Sequence, residues 1–119
     1  MTVSRQLLGK WGEEKAIKYL KSRKYIILDT NFSIRNGEID IIAKKANYLV
    51  FIEVKTSKSN KFGTPQASVN FIKQQKIKKV ARFYIFSNDI NNIKIRFDVI
   101  AIKIFKGKGC LKHFKNAFF

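Results

Sequence analysis

A chain of 119 residues, 45% hydrophobic and 28% charged, has the composition of a folded protein rather than a disordered one, and we expect a single domain, 1–119. Its 25 Lys and Arg against 8 Asp and Glu give a net charge of +17, which favours nucleic acid as partner over a membrane surface. The single cysteine excludes an internal disulfide, and without an apolar spanning run or a signal sequence a cytoplasmic protein is expected. An AT-rich genome is an alternative source of part of the lysine excess.

The first predicted element is a helix from about Ser4 to Ser22, with Ser4 as its N-cap. Its apolar stripe recurs at three- and four-residue steps: Leu8, Ala16, Ile17 and Leu20. Gly9 and Gly12 weaken a helix, so they either lie in a frayed first turn or permit close packing or the approach of a ligand.

The residues after this helix predict a first β-strand, Lys24 to Asn31. We expect 31–36 to be a loop or a widened strand end. The Asn36-Gly37 pair is a turn signal that leads into the next strand.

A β-hairpin is predicted from two runs rich in Ile, Val, Phe and Tyr, Glu38 to Ala43 and Tyr48 to Lys55, with a turn at 44–47. The two strands carry Asp40 and Glu53. An ionised carboxylate away from water costs several kcal/mol unless it is paired or binds a metal. These two acids therefore require an explanation.

Two explanations of the acids are open. Glu53 either pairs weakly with Lys55 at a solvated strand end, or Asp40 and Glu53 together hold Mg²⁺ or Mn²⁺, which prefer oxygen ligands. In the second case Lys55 holds the attacking water or stabilises charge on a phosphate. Glu13 shares the apolar face of the first helix and is predicted to be a third carboxylate at this site, or else a structural partner, whereas Glu14 faces solvent.

The polar segment 57–64 is predicted to be a basic loop beside this site, carrying Lys58 and Lys61. Such a loop either contacts the phosphate backbone of a nucleic acid or is merely solvated. We predict the first of these for both lysines.

A second helix is predicted from Pro65 to about Ser87. Its inner stripe is Val69, Ile77, Val80, Ala81 and Tyr84. Lys73 has the phase of this stripe, and Lys76 lies on a basic outer ridge that either binds nucleic acid or serves solubility. Both lysines are predicted nucleic-acid contacts.

The last predicted strand runs from Ile93 to Phe105, and its one acid, Asp98, is predicted to be structural. The tail, 106–119, is expected to turn at Gly107 and Gly109 and to end in aromatic residues that cover the sheet or form part of a homodimer surface, namely Phe114, Phe118 and Phe119. One histidine and one cysteine give no support to a zinc site.

The order helix, three strands, helix, strand predicts an α/β fold whose central mixed sheet is flanked by helices. Asp40 followed by Glu53-Val54-Lys55 resembles the PD-(D/E)xK nuclease superfamily without its proline. More closely, the chain resembles the YraN family of small bacterial endonuclease-like proteins, which are similar to archaeal Holliday-junction resolvases. The matching pieces are Gly9-x-x-Gly12-Glu13-x-x-Ala16, GEID at 37–40, VFIEVKT at 50–56, Phe62-Gly63-x-Pro65, Arg96-Phe97-Asp98-Val99 and Asn116-Ala117-Phe118.

The resemblance implies a restriction-endonuclease-like core and a Mg²⁺- or Mn²⁺-dependent endonuclease acting on structured DNA. Its catalytic residues would be Glu13, Asp40, Glu53 and Lys55, with Asp40 and Glu53 as metal ligands. The alternative is a nucleic-acid-binding protein with a vestigial or conditional nuclease site. The substrate, whether junction, flap, nick or RNA, is left open.

Overall fold

The computed structural model describes residues 4–58 and 69–119. In chain order its elements are α1 (Arg5–Ser22), β1 (Ile26–Ile34), β2 (Gly37–Lys45), β3 (Tyr48–Ser57), α2 (Phe71–Ser87), β4 (Lys94–Phe105) and β5 (Lys108–Phe118). The predicted α/β class is confirmed: within the described residues, a five-stranded mixed sheet of order β1-β2-β3-β4-β5 carries two helices, which is compatible with a restriction-endonuclease-like core. Neither of the described helices is both long enough and apolar enough to cross a membrane.

The central strands β3 and β4 run parallel, while every other neighbouring pair in the sheet is antiparallel. A parallel pair needs a crossover connection, and α2 lies within it. Both faces of these strands are covered, which accounts for their nearly continuous apolar sequence. Side chains alternate between the two faces, so one apolar cluster packs against α1 and the other against α2.

Helix α1 begins as predicted, with the Ser4 hydroxyl accepting a hydrogen bond from the Leu7 amide at 3.1 Å. Of the two glycines in α1, Gly12 is the one that close packing explains. A Cβ on Gly12 would lie 1.9 Å from Thr56 Oγ1, so no larger residue fits there without displacement. A Cβ on Gly9 would meet no atom of the described residues within 4 Å.

Helix α2 has the predicted inner stripe, because Ile77, Val80, Ala81 and Tyr84 are buried. It begins later than predicted, at Phe71, where the Asn70 side chain accepts a hydrogen bond from the Lys73 amide at 2.9 Å. Val69 is buried but precedes the helix. Pro65 and Lys61 lie outside the described residues.

The predicted boundaries of the first strands are wrong in two places. Strand β1 begins at Ile26 and continues to Ile34, which pairs with Gly37, so of the two alternatives for 31–36 the strand end is correct and the loop is wrong. The hairpin turn is confined to Ala46 and Asn47, since Lys45 pairs with Tyr48. A two-residue connection of this kind leaves the lysines before it free to continue the ladder.

The tail is also different from the prediction, because it forms a fifth strand. Phe105 pairs with Lys108 across a turn in which Lys106 and Gly107 have φ of 51° and 74°, a combination that matches the twist of a tight hairpin. Phe118 is 7% exposed, and its ring stacks on that of Phe97 at 5.2 Å, so it covers the sheet, which is one of the two roles predicted for the tail. Phe119 is 86% exposed.

Both edge strands contain a bulge. Ile27 pairs with Ala43 and Asp29 with Ile42, which leaves an extra residue in β1. Phe97 pairs with Phe118 and Val99 with Phe114, which leaves extra residues in β5 around Asn116, where φ is 52°. The three inner strands pair with one another without such shifts.

Candidate functional site

The β2–β3 hairpin brings Asp40 and Glu53 together at the place where its ladder ends. Ile41 pairs with Ile52, and Asp40 and Glu53 lie one step beyond that pair, close enough for the charge of Asp40 to act on Glu53. Asp40 Oδ2 also accepts a hydrogen bond from the Val54 amide at 2.8 Å. Glu53 is 7% exposed, so a charged group lies at the margin of an apolar sheet.

The environment of this carboxyl pair disfavours negative charge. Burial raises the pKa of Glu53 to about 7, and Asp40 adds to that rise, against the opposing effects of Lys73 and Lys55. Burial likewise raises the pKa of Asp40, although the Val54 amide opposes it. Two desolvated carboxyls that repel each other are stabilised when a cation or a proton lies between them.

Lys73, in the first turn of α2, supplies one cation. Its Nζ lies 2.7 Å from Glu53 Oε1, and its side chain is 45% exposed. Burial lowers the pKa of Lys73, but the ion pair with Glu53 and the charge of Asp40 outweigh that effect and raise it. The two carboxyl groups therefore hold the Lys73 ammonium group at the site and keep it charged.

On the α1 side, the carboxylates open into a cavity of about 510 Å³. Its lining is Leu8, Gly9, Glu13, Asp40, Glu53, Val54, Lys55 and Thr56. Burial raises the pKa of Glu13, and Asp40 adds to this, while a hydrogen bond with Asn31 opposes it. The structure thus brings together the four residues predicted as catalytic, and leaves Glu14 exposed on the outer face of α1.

On the α2 side, a second cavity of about 490 Å³ reaches the same carboxylates. Its lining is Asn36, Gly37, Glu38, Asp40, Glu53, Asn70, Ile72, Lys73, Lys76 and Ile77. Lys76 thus lies beside the site, as a nucleic-acid contact requires. Lys58 is exposed just beyond β3 and lines neither cavity, and Lys61 is outside the described part of the chain.

Sequence reasoning missed two residues of this site: Glu38 acts electrostatically on the acids, and Asn31 forms a hydrogen bond with Glu13. Lys73 was predicted as a nucleic-acid contact, but its ion pair with Glu53 was not predicted. The phase of Lys73 on the inner side of its helix was the one available signal. Its partner depended on how α2 packs on the sheet, which no local pattern gives.

The donor set fits a hydrated divalent cation better than a complete protein cage. Within 4–58 and 69–119, no three His, Cys, Asp or Glu side chains converge as a metal-ligand group. Mg²⁺ is commonly held by one or two carboxylates, with waters and phosphate oxygens completing its octahedron. Asp40 and Glu53 provide such a pair, next to open space on both sides.

A separate buried acid, Asp98, has the structural role predicted for it. Arg96 donates to both of its oxygens, from Nε at 3.0 Å to Oδ1 and from Nη2 at 3.0 Å to Oδ2. His113 Nε2 lies 2.7 Å from Oδ2, and the Asn116 amide donates to Oδ1 at 3.1 Å. Burial favours a higher pKa for Asp98, but these donors outweigh it and lower the pKa.

Comparison with known proteins identifies the family. The model of uncharacterised protein family UPF0102 matches residues 12–102. The UPF0102 protein of Thermodesulfovibrio yellowstonii is 53% identical over 112 residues, covering 94% of this chain and 96% of the relative. Those of Alkaliphilus oremlandii and Clostridioides difficile are 45% and 44% identical, covering 93% and 92% of this chain and 97% and 95% of the relatives. The chain therefore belongs to family UPF0102, the YraN family that its motifs indicate.

Proposed function

We propose that the protein is a Mg²⁺- or Mn²⁺-dependent endonuclease that hydrolyses phosphodiester bonds in structured, branched DNA. The observation that supports this most strongly is the pair formed by half-buried Asp40 and buried Glu53 where the β2–β3 ladder ends, next to a cavity on each side and flanked by lysines. A protein that only binds a polyanion gains nothing from buried acids that face it unless a cation bridges the two. The PD-(D/E)xK resemblance of this strand points to the same chemistry.

In this proposal Asp40 and Glu53 hold the metal ion. The ion, when bound, polarises a phosphoryl oxygen and lowers the pKa of a water molecule. Glu13 orients the attacking water and takes its proton, as the water oxygen bonds to phosphorus and one ester oxygen leaves. Lys55, which lines the same cavity, stabilises the negative charge that builds on the phosphoryl oxygens.

Lysines around the site hold the DNA backbone. We assign phosphate contacts to Lys58, Lys61, Lys73 and Lys76, on the strength of their proximity in sequence or space to the carboxylates. Each phosphate neutralised should contribute a slope of about −0.9 to log K against log salt. A homodimer, with exposed Phe119 in its interface, belongs to the same proposal, because resolvase-like enzymes cut two strands.

The test is a cleavage assay on a panel of linear, nicked, flapped and four-way-junction DNAs, with Mg²⁺, Mn²⁺ or a chelator. We expect metal-dependent cleavage of branched substrates by the wild type and none by Asp40→Asn. Glu14→Gln, a change of equal charge on the outer face of α1, is the control and should cut normally. Cleavage by Asp40→Asn at the wild-type rate would show that the chemistry lies elsewhere.

The second candidate function is nucleic-acid binding with a vestigial or conditional site. One observation favours it: Lys73 Nζ already lies 2.7 Å from Glu53 Oε1, where it neutralises a proposed metal ligand. In that case the same panel shows binding that neither Mg²⁺ nor Mn²⁺ changes, and no cleavage of any substrate.

A further inference from the structure

A cavity of about 340 Å³ lies on the flank of α1 that faces away from Glu13. Its lining is Trp11, Lys15, Ile102, Gly107, Gly109 and Leu111, none of which lines either carboxylate cavity within the described residues. This volume falls within the usual range for small-ligand pockets. The proposed nuclease chemistry makes no use of it.

Trp11 forms the aromatic wall of this cavity, and its position is set by the backbone opposite. A Cβ on Gly109 would lie 2.8 Å from Trp11 Cη2, so the indole edge rests directly on the β4–β5 hairpin. Lys15 Nζ lies 5.7 Å from the centroid of the ring. The cavity thus combines a partly exposed aromatic face, glycine backbone and an ammonium group.

The cavity is connected to the carboxylate site through α1 and β3. Gly12, between Trp11 and Glu13, packs on Thr56, and Thr56 lines the carboxylate cavity. Thr56 also pairs with Ile102, which lines the Trp11 cavity. The two cavities therefore flank one helix, roughly 10–12 Å thick. At about 3.4 Å per stacked nucleotide, that separation corresponds to about three nucleotides.

We propose that the Trp11 cavity binds an unpaired nucleobase of the strand whose phosphate lies at Asp40 and Glu53. A base in a duplex is stacked on both faces and paired along one edge, so an unpaired base is offered by a flap, a gap or a single-stranded branch. The inference rests on the proposed function and specifies its substrate class.

Charge and chemistry support a base rather than another planar ligand. The described lining carries Lys15 and no acid, and Lys10 and Lys108 are exposed nearby in the sequence. Aromatic stacking beside a basic surface is the usual means of holding single strands without sequence preference. We therefore expect a preference for unpaired structure and little dependence on base identity.

The chain has one tryptophan, so its fluorescence reports on this cavity alone. Asp40→Asn protein in a chelator, which prevents cleavage, is titrated with a single-stranded oligonucleotide and with an abasic strand of equal length and charge. We expect quenching by the normal strand and at least fivefold weaker binding of the abasic strand. Equal quenching and equal affinity for both strands would mean phosphate contact alone and would overturn the proposal, as would the absence of quenching by either.

Variants then assign the effect to the cavity, with affinity measured by anisotropy of a labelled strand. Trp11→Leu should weaken binding of the normal strand by at least fivefold and leave the abasic strand nearly unaffected. Lys15→Met removes a positive charge and should weaken binding of both strands, with the larger loss for the normal strand. Phe86→Ala, at a side chain 86% exposed on α2, is the matched control and should change neither. If Trp11→Leu fails to fold, the comparison of normal and abasic strands on the parent protein still decides the matter.

Cleavage is scored separately. If the protein discriminates normal from abasic strands but cuts no substrate, the proposed base site is supported and the proposed nuclease activity is wrong. If the protein cuts branched DNA without such discrimination, the proposed nuclease activity is supported and the proposed base site is wrong.

Discussion

Two acidic clusters, one around buried Asp98 and one formed by half-buried Asp40 and buried Glu53, lie in the same sheet and differ in how their charge is balanced. Asp98 receives hydrogen bonds from Arg96, His113 and the Asn116 amide, and its pKa is lowered. Among the described residues, Asp40 accepts a hydrogen bond from the Val54 amide and Glu53 pairs with Lys73, and burial raises the pKa of both carboxyls. Acids whose hydrogen-bonding capacity is met within the fold hold it together, whereas acids left short of positive charge are the better candidates for a functional site.

The largest expected effect is loss of activity on Glu53→Gln. Because a metal ligand is removed, cleavage should fall at least about 1000-fold, or about 4 kcal/mol in transition-state stabilisation. The melting temperature should not fall, since a buried and repelled charge is also removed. Asp89→Asn, a similar charge loss at an exposed acid, is the control. If Glu53→Gln loses activity because it fails to fold, Glu53 has a structural role like that of Asp98.

Asp98→Asn should have the opposite result. It leaves Arg96 buried without a counter-charge, and we expect the free energy of unfolding to fall by about 3 kcal/mol in urea titrations. Cleavage per folded molecule should stay within about twofold of the wild type. Full stability combined with lost cleavage would move Asp98 into the functional site.

Glu13→Gln tests whether the α1 side of the carboxylate cluster takes part. Cleavage should fall at least tenfold, or about 1.4 kcal/mol, while Glu14→Gln leaves it nearly unchanged. The two changes remove the same charge from adjacent residues, one lining the cavity and one exposed. Equal activity of the two folded variants would remove Glu13 from the site.

The smallest expected effect concerns the loss of stability at acidic pH. The pKa of Asp98 in the folded protein is below its ordinary value of 3.8, so its stabilisation is complete above about pH 4 and is lost as the pH falls through the folded pKa. Urea titrations between pH 5 and 2 should show this loss in the wild type. For Asp98→Asn, the free energy of unfolding should fall less steeply over this pH range. Equal slopes for the two proteins would mean that other acids dominate the pH dependence.

Much of the fold followed from local patterns, because helix caps, turn residues and apolar periodicity act over short distances. The Ser4 cap, the inner stripe of α2 and the β2–β3 hairpin are confirmed. The fifth strand was missed because its sequence, with lysines and glycines, lacks an alternating apolar pattern. It pairs as a strand through β4 and not through its own propensity.

The acids of the candidate site were also recognisable, since charge in an apolar strand is a visible exception. The groups that balance the charge of these acids were not recognisable from the sequence. Lys73 reaches Glu53, and His113 reaches Asp98 from another strand, only through tertiary packing. The same holds for Trp11, whose neighbours lie on a hairpin at the other end of the chain.

The bulges in β1 and β5 have a consequence for self-association. An edge strand with regular, unpaired amides and carbonyls is a template for a strand of another molecule, and irregular edges prevent such growth. Here the irregularities fall in both edge strands, and the one in β5 turns the Asn116 amide inward to Asp98. We therefore expect the sheet to end at both edges, and a dimer of this protein to form through side chains rather than by extending a shared β-sheet.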